Sequence, residues 1–213
     1  MWKAIKNFIN NSKKDKDIRQ DSDIELYQYN QYNSAVPLDE LFATNFNAGG
    51  GHFLYCENAT EALENLYQII QYEKTEPIIC LDPTLQNKLE EINIKYTTSP
   101  SANPNEFSFL KCEFLCAYDG SIMISSHQTN GRKIEDFPSN FIIWANSNQF
   151  ANNLSDGLHK LKTLKNNNLP SNITCIRGKD MHSFNSIPNA KNIYLLLVDN
   201  ISWKILSLEQ SPE

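Results

Sequence analysis

The sequence predicts one α/β domain, a three-layer sandwich with a mostly parallel sheet. From residue 38 onward, short apolar runs alternate with segments of helical periodicity. Strands separated by helices of this length pair in parallel, because a parallel neighbour needs a long crossover connection. The run NIYLLLVDN (192–200) is apolar enough for a central strand covered on both faces. The length of 213 residues suits a single domain with a sizeable core.

Composition and charge exclude several classes of protein. Hydrophobic residues make up 40% and charged residues 21%, with a mean hydropathy of -0.48. No apolar run approaches the roughly 20 residues that span a bilayer. A net charge of -6 argues against a general nucleic-acid surface. The start MWKAIKNFINNSKK lacks the apolar stretch and cleavage site of a signal peptide, so we expect a cytoplasmic protein.

The first 37 residues form a predicted appendage to a domain at 38–213. Trp2, Ile5 and Ile9 share one helical face, and the polar stretch KKDKDIRQDSD follows them. A helix this short is marginal alone, so we interpret it as a tail or domain-packing helix rather than a membrane device.

Three glycines at 49–51 raise the question of a phosphate-binding loop. Such a loop needs the order strand, glycines, helix, because the anion sits on free N–H groups at a helix N-terminus. Here the glycines precede the strand-like run HFLYC, so we interpret them as the entry into the first strand.

The first half of the domain predicts two helices and two further strands. A helix over 59–72 has Asn58 as its N-cap and Glu61 as its capping-box partner. Its buried stripe comprises Leu63, Leu66, Ile69 and Ile70. A strand at 77–82, a helix at 84–92, a strand at 92–98 and a proline-marked loop follow.

The second half repeats the alternation. The segment at 107–120 begins as either helix or strand, and strands follow at 121–126 and 141–146. A long helix is predicted with Ser147 as its cap and with Phe150, Leu154, Leu158, Leu161 and Leu164 on its buried face. The strands at 172–178 and 192–200 complete the sheet.

Cysteine and histidine spacing gives no metal site. Five cysteines lie without CxxC spacing, and the closest pair, in KCEFLC, lacks the further ligands that zinc or an iron–sulfur cluster requires. We therefore expect buried, reduced thiols. The four histidines are equally dispersed.

Polar residues that leave the strands are the candidates for ligand binding, since ligands gather at strand ends in open parallel sheets. Arg132 is the fork-shaped donor in the loop after SIMISS, suited to a carboxylate or phosphate. A Ser125–His127–Asp119 triad lacks the GxSxG pattern and is rejected. The candidate ligand-binding residues are Arg132, Ser125, Ser126, His127, Asp119, Gly120, Arg177 and Asp180, and the catalytic residues are not identified.

An ordered series of segments carries a family resemblance. The chain reads EFLCAYDGSIMISS, Arg132, EDFPSNFIIWA, a helix, NITCIRGKD and the strand NIYLLLVDN. This series resembles the LUD domain, the lactate-utilisation family that includes the C subunit of the bacterial lactate-oxidation system. From residue 38 the chain resembles a short Bacteroidetes-type branch of that family. The family's Gly-Pro-Ser stretch is absent from NITCIRGKD, where only Asp180 matches the family pattern.

The resemblance implies a fold of the NagB/RpiA/CoA-transferase-like class and a role in oxidising lactate to pyruvate. It also implies partner subunits that hold the iron–sulfur clusters, with no cofactor bound by this chain itself. Two hypotheses follow. The chain is an accessory subunit that binds a small anionic metabolite near Arg132, or it is a stand-alone CoA-transferase-like enzyme or binding protein for a carboxylate, CoA or nucleotide. A third, a structural relative without a ligand, stays open.

Overall fold

A computed structural model describes residues 36–99, 103, 105–166, 168–178 and 190–199. The predicted appendage therefore lies almost wholly outside the described residues. The helices in these ranges are α1 (Leu38–Ala48), α2 (Ala59–Glu73), α3 (Pro83–Glu91), α4 (Leu154–Lys165) and a 3₁₀ helix (Ile134–Asp136). The strands are β1 (His52–Cys56), β2 (Ile78–Ile79), β3 (Tyr96–Thr97), β4 (Phe107–Lys111), β5 (Phe114–Cys116), β6 (Ser121–Ser125), β7 (Asn140–Asn146), β8 (Phe150–Ala151), β9 (Ile173–Gly178) and β10 (Ala190–Val198).

Six strands form a parallel main sheet in the order β3-β2-β4-β7-β10-β1. The long strand β10 is central, with β7 on one side and β1 on the other. Its register pairs Leu195 with Ile143 of β7 and with Phe53 of β1. The sequence predicts a mostly parallel sheet in which the last strand of the chain is apolar and lies between other strands. The structure confirms this prediction.

A small sheet of four strands, β9-β6-β5-β8, continues from the start of β10. Strand β6 runs antiparallel to both β5 and β9, whereas β8 is parallel to β5. The ambiguous segment at 107–120 belongs to both sheets, because it supplies β4 to the main sheet and β5 to the small one. Local periodicity in the sequence gives no indication of this antiparallel part.

Three hydrophobic clusters hold the sheets and helices together as layers. Helices α2 and α3 cover one face of the main sheet, with Leu66 and Leu85 fully buried there. The opposite face packs against α1 and the small sheet, through residues such as Phe46 and Ile122. Helix α4 covers the outer face of the small sheet through Leu161. The predicted α/β sandwich is thus confirmed, and α2 and α4 lie on opposite outer faces of the molecule.

Helix α2 matches its prediction closely. The Asn58 side chain accepts a hydrogen bond of 3.0 Å from the Glu61 N–H, as an N-cap does. The Glu61 carboxylate accepts from the Glu57 N–H at 2.7 Å rather than from Asn58, so the capping box is shifted by one residue. Leu66 is buried as predicted, whereas Leu63 is only partly buried.

The predicted start of α4 is wrong. Ser147 does not cap a helix, because its hydroxyl donates to Asp199 at 2.9 Å, and Phe150 lies in the short strand β8. The helix begins after Asn153, whose side chain accepts from the Asp156 N–H at 3.0 Å.

The predicted buried face of α4 is also largely wrong, since Leu154, Leu158 and Leu164 are 43%, 40% and 73% exposed. The small sheet has only short strands, so it covers a narrow strip of the helix at Gly157 and Leu161.

Candidate functional site

The three glycines at 49–51 join α1 to β1, and their backbone N–H groups are occupied. Gly49, Gly50 and Gly51 donate to the carbonyl oxygens of Asn45, Asn47 and Phe46 at 2.9, 3.1 and 2.9 Å. These bonds satisfy the open carbonyls at the C-terminus of α1, and Gly50 takes a φ of 82°. The segment therefore ends a helix and enters a strand, as the sequence predicts, and offers no phosphate cradle.

The Asp119–Arg177 cluster is the first group of candidate residues that the fold brings together. Arg177, at the end of β9, forms an ion pair with Asp119, in the turn before β6. The other Asp119 oxygen accepts from the Ser121 N–H at 3.0 Å. The Asp119 carboxylate, which is 24% exposed, thus neutralises the Arg177 guanidinium, which is 47% exposed. It also fixes the turn before β6.

Gly120 belongs to this cluster for a steric reason. Its φ of +64° suits glycine, and a Cβ there would lie 2.5 Å from the Phe46 backbone nitrogen. Because α1 packs this closely against Gly120, the Asn45 side chain can donate to the carbonyl oxygens of Ala117 and Tyr118 at 2.8 and 3.0 Å. Gly120 therefore positions α1 on the small sheet.

Two thiols, absent from the predicted site, lie beside this cluster. Cys116 and Cys175 are hydrogen-bonded to each other across β6, which raises the pKa of Cys116 and lowers that of Cys175. Cys116 is buried and Cys175 is half-buried, and both are free thiols, as are the other three cysteines. The expectation of reduced thiols agrees with this arrangement. Sequence spacing gave no signal for the pair, because antiparallel pairing through β6 creates it.

The second group of candidate residues lies at the opposite end of β6, around Glu113. The Glu113 carboxylate accepts from the Ser125 hydroxyl at 2.7 Å and from the Gln128 amide at 2.9 Å. His127 Nδ1 and Lys165 Nζ each lie 3.9 Å from one of its oxygens. Glu113 is only 9% exposed. An acidic residue within the apolar run KCEFLC was the available sequence signal for it.

The geometry of this group differs from a catalytic triad. Asp119 precedes β6 and Ser125 ends it, so the five-residue strand separates them by roughly 17 Å. The Ser125 hydroxyl lies within hydrogen-bonding distance of Glu113 and Gln128 rather than of a histidine ring nitrogen. His127 contributes its backbone N–H, which donates to Ser125 Oγ at 3.2 Å.

Arg132 lies at the rim of a small cleft, which we call the Arg132 cleft. Its side chain is exposed, and within the described ranges its guanidinium forms no ion pair. The cleft is shallow and encloses only about 10 Å³. Its lining comprises Ile124, Ser125, Ser126, Thr129, Arg132, Ile134, Asn172 and Thr174. Hydroxyl and amide groups thus share the lining with two isoleucines and one cation.

The two candidates not yet described are Ser126 and Asp180. Ser126 lines the cleft, and its hydroxyl accepts from the Ser171 N–H at 3.0 Å. Asp180 lies outside the described residues. The predicted set therefore falls into two places at opposite ends of β6, with Asp119, Gly120 and Arg177 at one end and the Arg132 loop at the other.

In the part of the chain that the structure describes, no group of three or more His, Cys, Asp or Glu residues is arranged to hold a metal ion. Over the same residues, no helix has the length and apolar character that crossing a membrane requires.

Comparison with known protein families identifies the family of this chain. The model of the LUD domain matches residues 40–198, which is most of the chain. The chain belongs to the LUD domain family. The resemblance carried by the ordered strand and loop segments is confirmed at the family level, and the assignment to a particular branch stays a prediction. A comparison with curated proteins finds no significant match.

Among solved structures, the LUD-domain chain is similar to a DUF162 family protein from Deinococcus radiodurans, determined as a crystal structure at 1.70 Å resolution. The TM-score is 0.53 with 12% sequence identity, and the similarity covers 76% of this chain and 96% of that one. At this identity the similarity supports the fold alone.

Proposed function

We propose that this LUD-domain protein is an accessory subunit in lactate utilisation that binds a small anionic metabolite near Arg132, at the rim of the Arg132 cleft. In this proposal, lactate is oxidised to pyruvate beside partner subunits that hold the iron–sulfur clusters. Family membership supports the pathway. The guanidinium of Arg132, which forms no ion pair with any described residue, supports the anion site.

The contrast between two arginines is the observation that carries the anion site. Arg177 is neutralised by Asp119, so binding an anion there would first require breaking that ion pair. Arg132 has no such competitor among the described residues, and it is exposed at the rim of the cleft. A guanidinium binds a carboxylate through two parallel hydrogen bonds, which gives direction as well as affinity.

The cleft is too shallow to enclose any of the proposed ligands. Pockets for drug-sized ligands measure roughly 300–1,000 Å³. The Arg132 cleft encloses only about 10 Å³, which is about the space of one water molecule. The anionic group of a metabolite would therefore contact the exposed Arg132 guanidinium at the rim rather than enter the cleft.

The test compares Arg132→Ala with Lys133→Ala, an adjacent exposed cation that does not line the cleft. Each variant replaces the natural chain in the cell of origin, and growth on lactate is measured. We expect Arg132→Ala to slow growth on lactate and Lys133→Ala to have no effect. Growth of the Arg132→Ala strain at the normal rate would remove the role assigned to Arg132.

Assembly is tested separately by capturing the tagged protein and recording the visible absorption of the eluate. A brown complex containing cysteine-rich partners is the expected result. A colourless chain eluting alone would contradict the accessory-subunit role and would favour the stand-alone alternative. In that case a thermal-shift screen across acids, CoA and nucleotides distinguishes an independent binding protein from a relative without a ligand.

A further inference from the structure

Among the described residues, the exposed large hydrophobic side chains are confined to two helices and the segment that follows α4. Within the described residues, the large hydrophobic side chains that are at least 40% exposed are Tyr67, Tyr72, Leu154, Leu158, Leu164 and Leu169. The tyrosines belong to α2, three leucines belong to α4, and Leu169 follows α4. Large apolar groups concentrated in this way mark interaction surfaces, whereas single scattered ones do not.

The two helices carry opposite charge. Helix α2 contains three glutamates, Glu61, Glu64 and Glu73, with no lysine or arginine. Helix α4 contains three lysines against one aspartate. The chain as a whole is acidic, with a net charge of -6, so the basic character of α4 is local.

One charge on each helix is available to a partner. The Glu61 and Glu73 carboxylates accept hydrogen bonds within the chain, and Lys160 pairs with Asp156 at 2.9 Å. Among the described residues, the side chains of Glu64 and Lys162 make no such contact.

Each of these two charges stands next to exposed apolar surface. Lys162 is one turn beyond Leu158, and Leu158 is one turn beyond Leu154, so the three form a row. Glu64 is likewise one turn before Tyr67 on α2. We call these the α4 face (Leu154, Leu158, Lys162) and the α2 face (Glu64, Tyr67). Tyr72 lies about 140° around the helix from Tyr67, so it is not part of the α2 face.

We propose that the α4 face of one copy of this chain docks on the α2 face of a second copy. The leucines supply apolar area, Tyr67 supplies a ring with a polar edge, and Lys162 meets Glu64. The two faces lie on opposite sides of the molecule, because α2 covers the main sheet and α4 covers the small sheet. An interface between two different faces is heterologous, so it repeats from copy to copy and gives an open series or a ring rather than a two-fold dimer. This proposal does not depend on the Arg132 cleft.

The test measures mass in solution by sedimentation velocity over a concentration series of the full chain. The natural chain is expected to gain mass with concentration. Leu158→Glu on α4 and Tyr67→Lys on α2 each remove one face, so each variant alone is expected to stay monomeric. An equimolar mixture of the two retains one intact pair of faces and is expected to stop at a dimer. Glu135→Lys, an exposed charge change on the 3₁₀ helix, is the matched control and is expected to associate normally.

Charge exchange tests the Lys162–Glu64 contact itself. Lys162→Glu and Glu64→Lys are each expected to weaken association by about tenfold, and the double variant is expected to recover it, because every interface then holds the exchanged pair. A natural chain that is monomeric at all concentrations overturns the proposal. So does association that Leu158→Glu leaves unchanged, or a mixture of the two single-face variants that remains monomeric. Circular dichroism confirms that each variant is folded.

Discussion

The contact between Gly120 and α1 gives the sharpest prediction for the Asp119–Arg177 cluster. Alanine at this position would keep a φ of +64°, and the left-handed conformation costs a residue with a Cβ about 1–2 kcal/mol. The new Cβ would also lie 2.5 Å from the Phe46 nitrogen and 2.6 Å from the Asn45 carbonyl carbon, so α1 has to move.

Movement of α1 adds a second cost. The Asn45 amide donates to two carbonyl oxygens of the small sheet, and a typical hydrogen bond contributes about 0.5–1.5 kcal/mol. The two costs together predict that Gly120→Ala lowers the free energy of unfolding by about 2–5 kcal/mol. Urea denaturation followed by circular dichroism measures this change.

Gly131→Ala is the matched control, because Gly131 also has a positive φ, +77°, but a Cβ there meets no atom within 4 Å. This variant carries only the conformational cost, about 1–2 kcal/mol. Both substitutions restrict the unfolded chain equally, so that effect cancels in the comparison. Equal losses for the two variants would refute the assigned role of Gly120 in holding α1.

Three further predictions concern other elements. Asn153→Ala is expected to destabilise the protein by about 1 kcal/mol through loss of the α4 cap. Urea midpoints check this, and an unchanged midpoint for Asn153→Ala would contradict the observed helix start. Burial alone would raise the pKa of Asp82, but its hydrogen bonds and the Lys111 ammonium hold it below the usual value. The stabilisation is therefore complete above the unfolded pKa of about 3.9 and is lost as the pH falls through the lower folded value. Asp82→Asn should flatten the fall of urea midpoints below about pH 4, and an unchanged fall would contradict this contribution. A thiol reagent should modify Cys175 before the four buried cysteines in the native protein, as peptide mapping would reveal. Faster modification of a buried thiol would contradict the packing.

The sequence predicted the parts of the fold that periodicity and capping determine. Helix α2 combines an N-cap with a clear apolar stripe, and strand β10 is an uninterrupted apolar run. The start of α4 was mispredicted because the leucine spacing continued the helical pattern upstream. Tertiary contacts instead place Phe150 beside Leu115 in the small sheet and tie Ser147 to Asp199.

The candidate site was predictable only in part, for a similar reason. Strand-end polarity identified Asp119, Arg177 and Arg132 as separate loop residues. Which of them meet depends on the antiparallel pairing of β6 with β9, and this pairing is invisible in local periodicity. Glu113 was missed because its partners Ser125 and Gln128 follow it by 12 and 15 residues and meet it only through the pairing of β5 with β6.

The central claim is that Arg132, at the rim of the Arg132 cleft, binds a small anion, and a calorimetric titration of the full chain with lactate and with pyruvate tests it most directly. We expect saturable binding that Arg132→Ala abolishes and Lys133→Ala preserves. Absence of binding by the natural chain, or binding that Arg132→Ala leaves unchanged, would contradict the claim.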